Sequence, residues 1–513
     1  MLLFAFALFS LTASEHLQGY EAETMAASEG FARTGDFQLL TDSPFTGHHG
    51  HRGEGGRLYG RTTVVEPLLA APLIWVGYRL DRASGGVRFR AFFARYFNPF
   101  MAALAAAGIF LLLVRYRSPP TALAVAMLFA VASIAWPYAR IGMETTFMAL
   151  LVLTLLAADW ARRAPTIKAW AVTGVIGGAA MVGKPYAVLA VAPLALLLIP
   201  ALRRPPRQAI ALAAAVVIPV VGWAAVTLWY NAARHGSMLD FGSAERLSPT
   251  VAGPFNWLGL LASPGKGLLL YSPLVVLGLL GVRTMWRADR TLTAASLSSF
   301  GLLSAFIAIS SHWSEETWGP RYIVPVAWLL LLPIAWWATT PDRWRAIKAV
   351  AVGAVVVQLL AVLIPYHGYF RIAPALSGVS LFQQRGSSAG GTDIRDSVPS
   401  VPYGRDPMRW VPQMSPLLLQ AELVTSIASE KAGGSALTIT YAPFEGRRTV
   451  TDLAGAQGRL ELPFPDFAWA GGNTIDAAWG AVMLLVLAGS SLALTGPSDG
   501  LRRWLPRAGQ AAG

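Results

Sequence analysis

Four short stretches of the sequence carry the residue types that chemistry at a membrane surface would need. The first is Tyr20-Glu21-Ala22-Glu23. A carboxylate at a partly dry site has its pKa pushed toward neutrality and can take a proton from a hydroxyl. Glu21 and Glu23 are two apart, so on a helix they point to different faces and at most one faces a common cavity. The same pair also suits the solvated first turn of a surface helix. The second stretch holds Arg140 and Glu144. At i and i+4 they fit an ordinary helix ion pair, worth about a few tenths of a kcal/mol, and Glu144 also fits a second acid beside an acceptor. The third is Lys184, a lone cation between two apolar segments. Its cost near hydrocarbon calls for a partner or a ligand, with snorkelling to the interface as the other reading. The fourth runs from His312 through Trp313, Trp318 and Arg321 to Tyr322. Arg321 begins an apolar segment, where a guanidinium matches a phosphate in charge and fork geometry. The tryptophans around it also suit an aromatic belt.

Two further signals are weaker. Ser263-Pro264-Gly265-Lys266-Gly267 resembles a phosphate loop but lacks the spacing of one. His48, His49 and His51 could take a divalent metal, yet no patterned carboxylate accompanies them, and they read as a solvated loop. The chain has no cysteine, which excludes disulfides, thiolate metal sites and cysteine nucleophiles.

The elements that must position these residues are membrane helices. Of 513 residues, 54% are hydrophobic and only 13% charged, against about 25% charged in soluble domains. Apolar runs fall near 93–114, 119–137, 143–160, 167–183, 185–201, 208–230, 267–283, 292–311, 322–339, 346–366 and 476–495. Residues 1–13 are too short to span and lack a basic start, and are read as the outer part of a first helix whose cytoplasmic end is missing. The expectation is an all-α polytopic membrane protein of about twelve transmembrane helices. The pair 167–201 turns at Gly183-Lys184-Pro185, either as a hairpin or as one broken helix.

The net charge of +13 is not a nucleic-acid signal, because the basic residues sit in short clusters between apolar runs. Those clusters are Arg115 and Arg117; Arg162, Arg163 and Lys168; Arg203, Arg204 and Arg207; Arg283, Arg287 and Arg290; Arg343, Arg345 and Lys348; and Arg502, Arg503 and Arg507. All fall in alternate loops, which assigns that side to the cytoplasm. The opposite side then holds 14–92, 138–142, 184, 231–266, 312–321 and 367–475, and the candidate residues above lie in these segments or, for Glu144 and Tyr322, at their edges. A glycine-rich turn facing outward also meets no nucleotide pool. In the first outer loop, 17–34 is expected as an amphipathic helix at the interface and 67–80 as a re-entrant helix. In the last, 436–442 and 458–462 alternate like strands, and 386–404 is rich in Gly, Ser and Pro. The division is 1–366 as a transmembrane module, 367–475 as an external segment, and 476–513 as a last helix with a basic tail.

In their order along the chain these motifs resemble the GT-C superfamily of integral-membrane glycosyltransferases, in particular the protein O-mannosyltransferase and lipid A aminoarabinose transferase group. Tyr20-Glu21-Ala22-Glu23-Thr24 through Arg33-Thr34-Gly35-Asp36-Phe37 has the layout of the family's acidic motif after the first helix. Glu21 falls on the second member of the family's acidic pair, and Tyr20 replaces the first. Arg57-Leu58-Tyr59 ahead of Pro67-Leu68-Leu69 is similar to the loop before its re-entrant helix, Gly183-Lys184-Pro185 to its phosphate-meeting lysine, and Trp318-Gly319-Pro320-Arg321-Tyr322 to the start of a late helix. The resemblance covers roughly residues 1–340. It implies a polyprenyl-phosphate sugar donor, inverting chemistry, and a glycan, lipid or protein acceptor outside the cytoplasm. It implies catalytic roles for Glu21, Glu23 and Glu144, donor-phosphate contacts from Lys184, Arg321, Arg140 and Lys266, and substrate contacts from Tyr20, Tyr59, His312 and Tyr322. No cofactor is assigned, and a divalent metal stays an open option. A transporter or lipid flippase is the runner-up. It predicts charges paired at mid-helix and symmetric halves, and no internal repeat is visible. A third reading is an assembly protein whose external loops bind an envelope partner.

Overall fold

The computed structural model describes residues 1–13, 17, 19–45, 50–142, 144–241, 253–310 and 317–363, short pieces between 410 and 424, two strands, and a last helix. The helices are α1 (Leu2–Leu11), α2 (Gly19–Thr34), α3 (Val65–Ser84), α4 (Arg88–Leu113), α5 (Pro119–Ala132) and α6 (Ala135–Ile141). They continue with α7 (Thr145–Arg163), α8 (Ile167–Val182), α9 (Val188–Val191), α10 (Pro206–His235), α11 (Gly253–Ala262) and α12 (Leu268–Tyr271). The last six are α13 (Leu274–Ala288), α14 (Arg290–Ile309), α15 (Val324–Ala327), α16 (Ile334–Trp337), α17 (Pro341–Leu363) and α18 (Thr474–Thr495). The strands form two antiparallel hairpins. In one, β1 (His51–Arg52) meets β2 (Leu58–Tyr59); in the other, β3 (Leu437–Thr440) meets β4 (Arg447–Val450), with Leu437 opposite Val450. The described residues form an all-α membrane-type chain with very little sheet.

Among the described residues five helices, α4, α7, α10, α14 and α17, are long and apolar enough to cross a bilayer, and α5 with α6 makes a sixth if that bent pair is one span. Shorter apolar helices of 10–17 residues are Leu2–Leu11, Ile167–Val182, Val188–Leu197, Arg321–Trp337 and Ala478–Leu494. Several segments expected as single helices are therefore broken, and proline is the cause in most. Pro193 and Pro200 turn the run after α9 into 3-10 pieces, Ala192–Leu197 and Ile199–Arg203. Pro273 separates α12 from α13, and Pro325 and Pro333 start α15 and α16 anew inside a run expected to be continuous. A ring nitrogen has no N–H for the helix ladder and its ring collides with the preceding turn. Between α5 and α6 the 55° bend falls at Ser133, four residues before Pro137, whose ring excludes a helical bond to the Ser133 carbonyl. There Ser133 turns its hydroxyl back to the Phe129 carbonyl while accepting from the Ala135 N–H, which stands in for the broken ladder.

α7 is the axis of the bundle. It packs on α4 and α8, and α8 packs in turn on α10. α1 lies along α4 and against α18. α2 does not lie on the surface as expected of an amphipathic helix: residues 21–30 are buried throughout, against α3. A buried ion network makes this docking tolerable. Glu29 is gripped by Arg33 at 3.0 Å and by Arg90, which also holds Asp81 at 2.8 Å, so α2, α3 and the start of α4 share one set of charges. The expected second strand at 458–462 lies outside the described residues, and β4 pairs with β3 instead.

Candidate functional site

The helix that would have joined Arg140 to Glu144 ends at Gly142, and this break builds the site. Gly142 stands at φ 79°, and a Cβ there would sit 1.3 Å from the Glu21 carboxylate and 2.2 Å from the Asn98 amide. Only glycine leaves room for Glu21 to lie against this turn. Glu144 follows at φ 66°, the one non-glycine residue of positive φ among the described residues. A left-handed glutamate costs roughly 1–3 kcal/mol, and the geometry it gains is a carboxylate aimed inward from the N-terminus of α7. The i, i+4 reading of Arg140 and Glu144 is thereby corrected, since they do not share a helix.

Glu144 is the centre of a buried cluster. Its Oε1 lies 3.3 Å from the Arg321 Nε and 3.5 Å from the Lys184 Nζ, and its Oε2 accepts a hydrogen bond of 3.0 Å from the Tyr186 hydroxyl. Lys184 also donates to the Tyr20 hydroxyl at 3.2 Å and lies 4.3 Å from the centre of that ring. Tyr322 packs edge-on against Tyr186, with Arg321 over its own face. Four separate segments thus meet: the start of α2, the α6–α7 turn, the α8–α9 turn and the segment entering α15.

Two residues that the sequence did not single out belong to the cluster. Tyr186 is one. Glu66, at the start of α3, is the other; it is buried and accepts from the Thr146 hydroxyl at 3.2 Å. Burial pushes its carboxyl up to about 7, with the negative Glu144 adding to the effect and Lys184 and Thr146 opposing it. Burial disfavours charge on Lys184 too, but Glu144, Tyr20 and Glu66 outweigh it and hold the ammonium above the usual lysine range. The Tyr20 phenol is raised mainly by burial. The signal that could have found Glu66 is a lone acid inside the apolar run from Val64 to Ala71; for Tyr186 it is adjacency to Lys184.

Glu21 accepts from the Asn98 amide at 2.7 Å and lies on the turn that carries Glu144. Glu23 is equally buried, takes the Arg61 N–H at 3.1 Å on one oxygen and leaves the other without a hydrogen-bond partner. Both acids face inward, where one was expected to. Tyr59 holds Asp36 and anchors the first hairpin. Arg140 donates to the carbonyls of Ala361 and Val362 at the end of α17, at 3.4 and 2.5 Å, so it secures a helix terminus. Lys266 donates to the Thr317 carbonyl. With the Tyr138 hydroxyl on the Trp318 carbonyl at 2.9 Å, it holds the segment that leads to Arg321. Gly319, at φ 63°, makes the turn in that segment. His312, His48 and His49 lie outside the described residues, as does the side chain of His51.

Comparison of the chain with protein-family models and with curated proteins finds no match. The cluster itself sets the chemistry: two largely buried cations, a tyrosine beside each, and the buried acids Glu144 and Glu66 next to them.

Proposed function

We propose that this protein transfers a sugar, a hexose or a pentose, from a polyprenyl-phosphate donor to a glycan, lipid or protein acceptor outside the cytoplasm, with inversion. The observation that carries the reading is the approach of Lys184 and Arg321 to a single oxygen of Glu144. Two cations that can share one carboxylate oxygen can share the oxygens of a phosphate. In the reaction the acceptor hydroxyl attacks the anomeric carbon and the bond from that carbon to the phosphate oxygen breaks. The electron pair leaves on the phosphate, where Lys184 and Arg321 stabilise the growing charge. Glu21 takes the hydroxyl proton, and polyprenyl phosphate departs with one more negative charge than the donor carried.

In this reading the chain crosses the inner membrane about twelve times in a GT-C-like bundle, with α9, α15, α16 and their 3-10 extensions completing short or bent crossings. The six basic clusters face the cytoplasm and the Glu144 cluster faces outward. α7 supports this arrangement, since its 19 residues separate Glu144 from Arg162 and Arg163 by roughly 28 Å, about the thickness of the hydrocarbon layer. Reporter fusions after Arg204 and Arg345 are expected to behave as cytoplasmic, and one at Ser400 as periplasmic; the opposite pattern would turn the site to the wrong side.

The decisive test is a transfer assay with purified protein in lipid, varying the polyprenyl-phosphate sugar at fixed acceptor. Saturable transfer that Glu21→Gln abolishes is expected. Activity with a soluble nucleotide sugar and none with the lipid donor would overturn the donor class.

A further inference from the structure

Every cation in the proposed phosphate site already has an anion on it. Lys184 and Arg321 both reach Glu144 Oε1, at 3.5 and 3.3 Å. The Glu144 side chain is fully buried, so water does not share the load. A donor phosphate that bound the two cations would have to take the position of this oxygen. Glu144 is also held in a way that lets it yield. Its other oxygen rests on Tyr186, and its backbone sits in a turn set by Gly142, outside the regular part of α7.

Resting on the carrier-phosphate reading, we propose that Glu144 is an exchangeable counter-ion: it occupies the anion position in the free protein, gives way to the donor phosphate, and returns to expel the product. The last step is where such a group matters most. The donor is a phosphodiester with one negative charge, while the polyprenyl phosphate left after transfer is a monoester with more. Two cations in a dry pocket would grip the product harder than the donor, and turnover would stall on release. A carboxylate tethered beside them competes for the same cations at high effective concentration and shortens the product's stay.

The experiment measures binding of a short-chain prenyl phosphate to the full-length protein in lipid nanodiscs, with donor turnover measured alongside. Removing the competitor with Glu144→Gln should lower the Kd for prenyl phosphate about tenfold, while kcat falls and product inhibition deepens. Glu144→Asp keeps the charge but shortens its reach. It should bind prenyl phosphate more tightly than wild type and less tightly than the Gln variant, and it carries the test if that variant does not fold. Lys184→Gln and Arg321→Gln should lose binding. If wild type binds prenyl phosphate through Lys184 and Arg321 but the Glu144 variants bind equally or more weakly, the counter-ion role is overturned and the carrier-phosphate reading stands. If neither wild type nor any variant binds it, the carrier reading fails and the counter-ion role with it.

Discussion

The two ends of α7 each surround a buried acid with cations, and they do so in opposite ways. At the C-terminal end Asp159 accepts from Arg115 at 3.1 Å, Arg162 at 2.8 Å, Arg163 at 3.0 Å and the Tyr116 hydroxyl. Arg162 also bridges to Asp289, which caps the start of α14. The arginine side chains there are 31%, 18% and 43% exposed, and Asp159 lies in regular helix. At the N-terminal end Lys184 and Arg321 are only 9% and 12% exposed, and Glu144 stands in a left-handed turn. Both arrangements tie helices together. Only the second adds dry cations and backbone strain, two costs that stability alone does not explain and that functional sites characteristically carry. On the proposed function, α7 has a structural end at Asp159 and a working end at Glu144.

The largest expected effect separates these ends most sharply. Glu21→Gln should reduce transfer about a thousandfold, as loss of a general base does, with the melting temperature nearly unchanged. Glu23→Gln should do much less. Equal losses in the two would divide the base role between them, and no loss in either would remove it.

Next come the cations. Lys184→Ala and Arg321→Ala should each raise the donor KM and lower kcat/KM by roughly 10- to 150-fold, the equivalent of a charge-assisted contact worth about 1.5–3 kcal/mol. Arg321→Lys should recover part of this, since an ammonium lacks the guanidinium fork. Donor kinetics like wild type in both Ala variants would leave the working end without a phosphate site.

At the structural end, Asp159→Asn should weaken the hold on three arginines and cost about 2 kcal/mol of stability, read as a fall in melting temperature. Donor KM should stay within roughly twofold of wild type, because the site lies a full helix length away. A large KM change with little loss of stability would reverse the assignment of the two ends.

The working end was partly legible in the sequence because Lys184 and Arg321 are cations bordered by apolar runs, which a membrane does not tolerate without purpose. Glu144 was legible as an acid at an outer boundary, but its partners were not. Spacing assumed an unbroken helix from Arg140, and the Gly142 turn sends the two side chains to different neighbours. Glu66 reads as an ordinary acid in the first turn of a helix, where the macrodipole favours one; the apolar run around it was the local sign that α3 is buried at that point. The long spans, α4, α7, α10, α14 and α17, followed from hydropathy to within a few residues. The proline-broken runs did not, because hydropathy weighs composition and is blind to a missing N–H.

The smallest effect concerns Glu66 and is a matter of pH. Its carboxyl titrates near 7 in the folded protein, above the value near 4 of an unfolded glutamate. Between those values the folded state holds a proton that the unfolded state has released, so stability falls as pH rises through this window and levels off above it. Wild-type protein should thus lose a few degrees in melting temperature between about pH 4.5 and 7.5 from this group. Glu66→Gln keeps the neutral shape and should flatten that part of the curve while raising the melting temperature at pH 8. Glu66 also lies close enough to Lys184 and Glu144 to feel their charges, so its ionisation adds a negative charge beside the proposed phosphate site. Donor KM in wild type should therefore rise above pH 7, and in the Gln variant that rise should shrink. Asp159→Asn serves as the control, because an acid at the other end of α7 is too distant to act on donor binding. An unaltered pH profile in Glu66→Gln would show that Glu66 stays ionised across the range and plays no part in the charge balance of the working end.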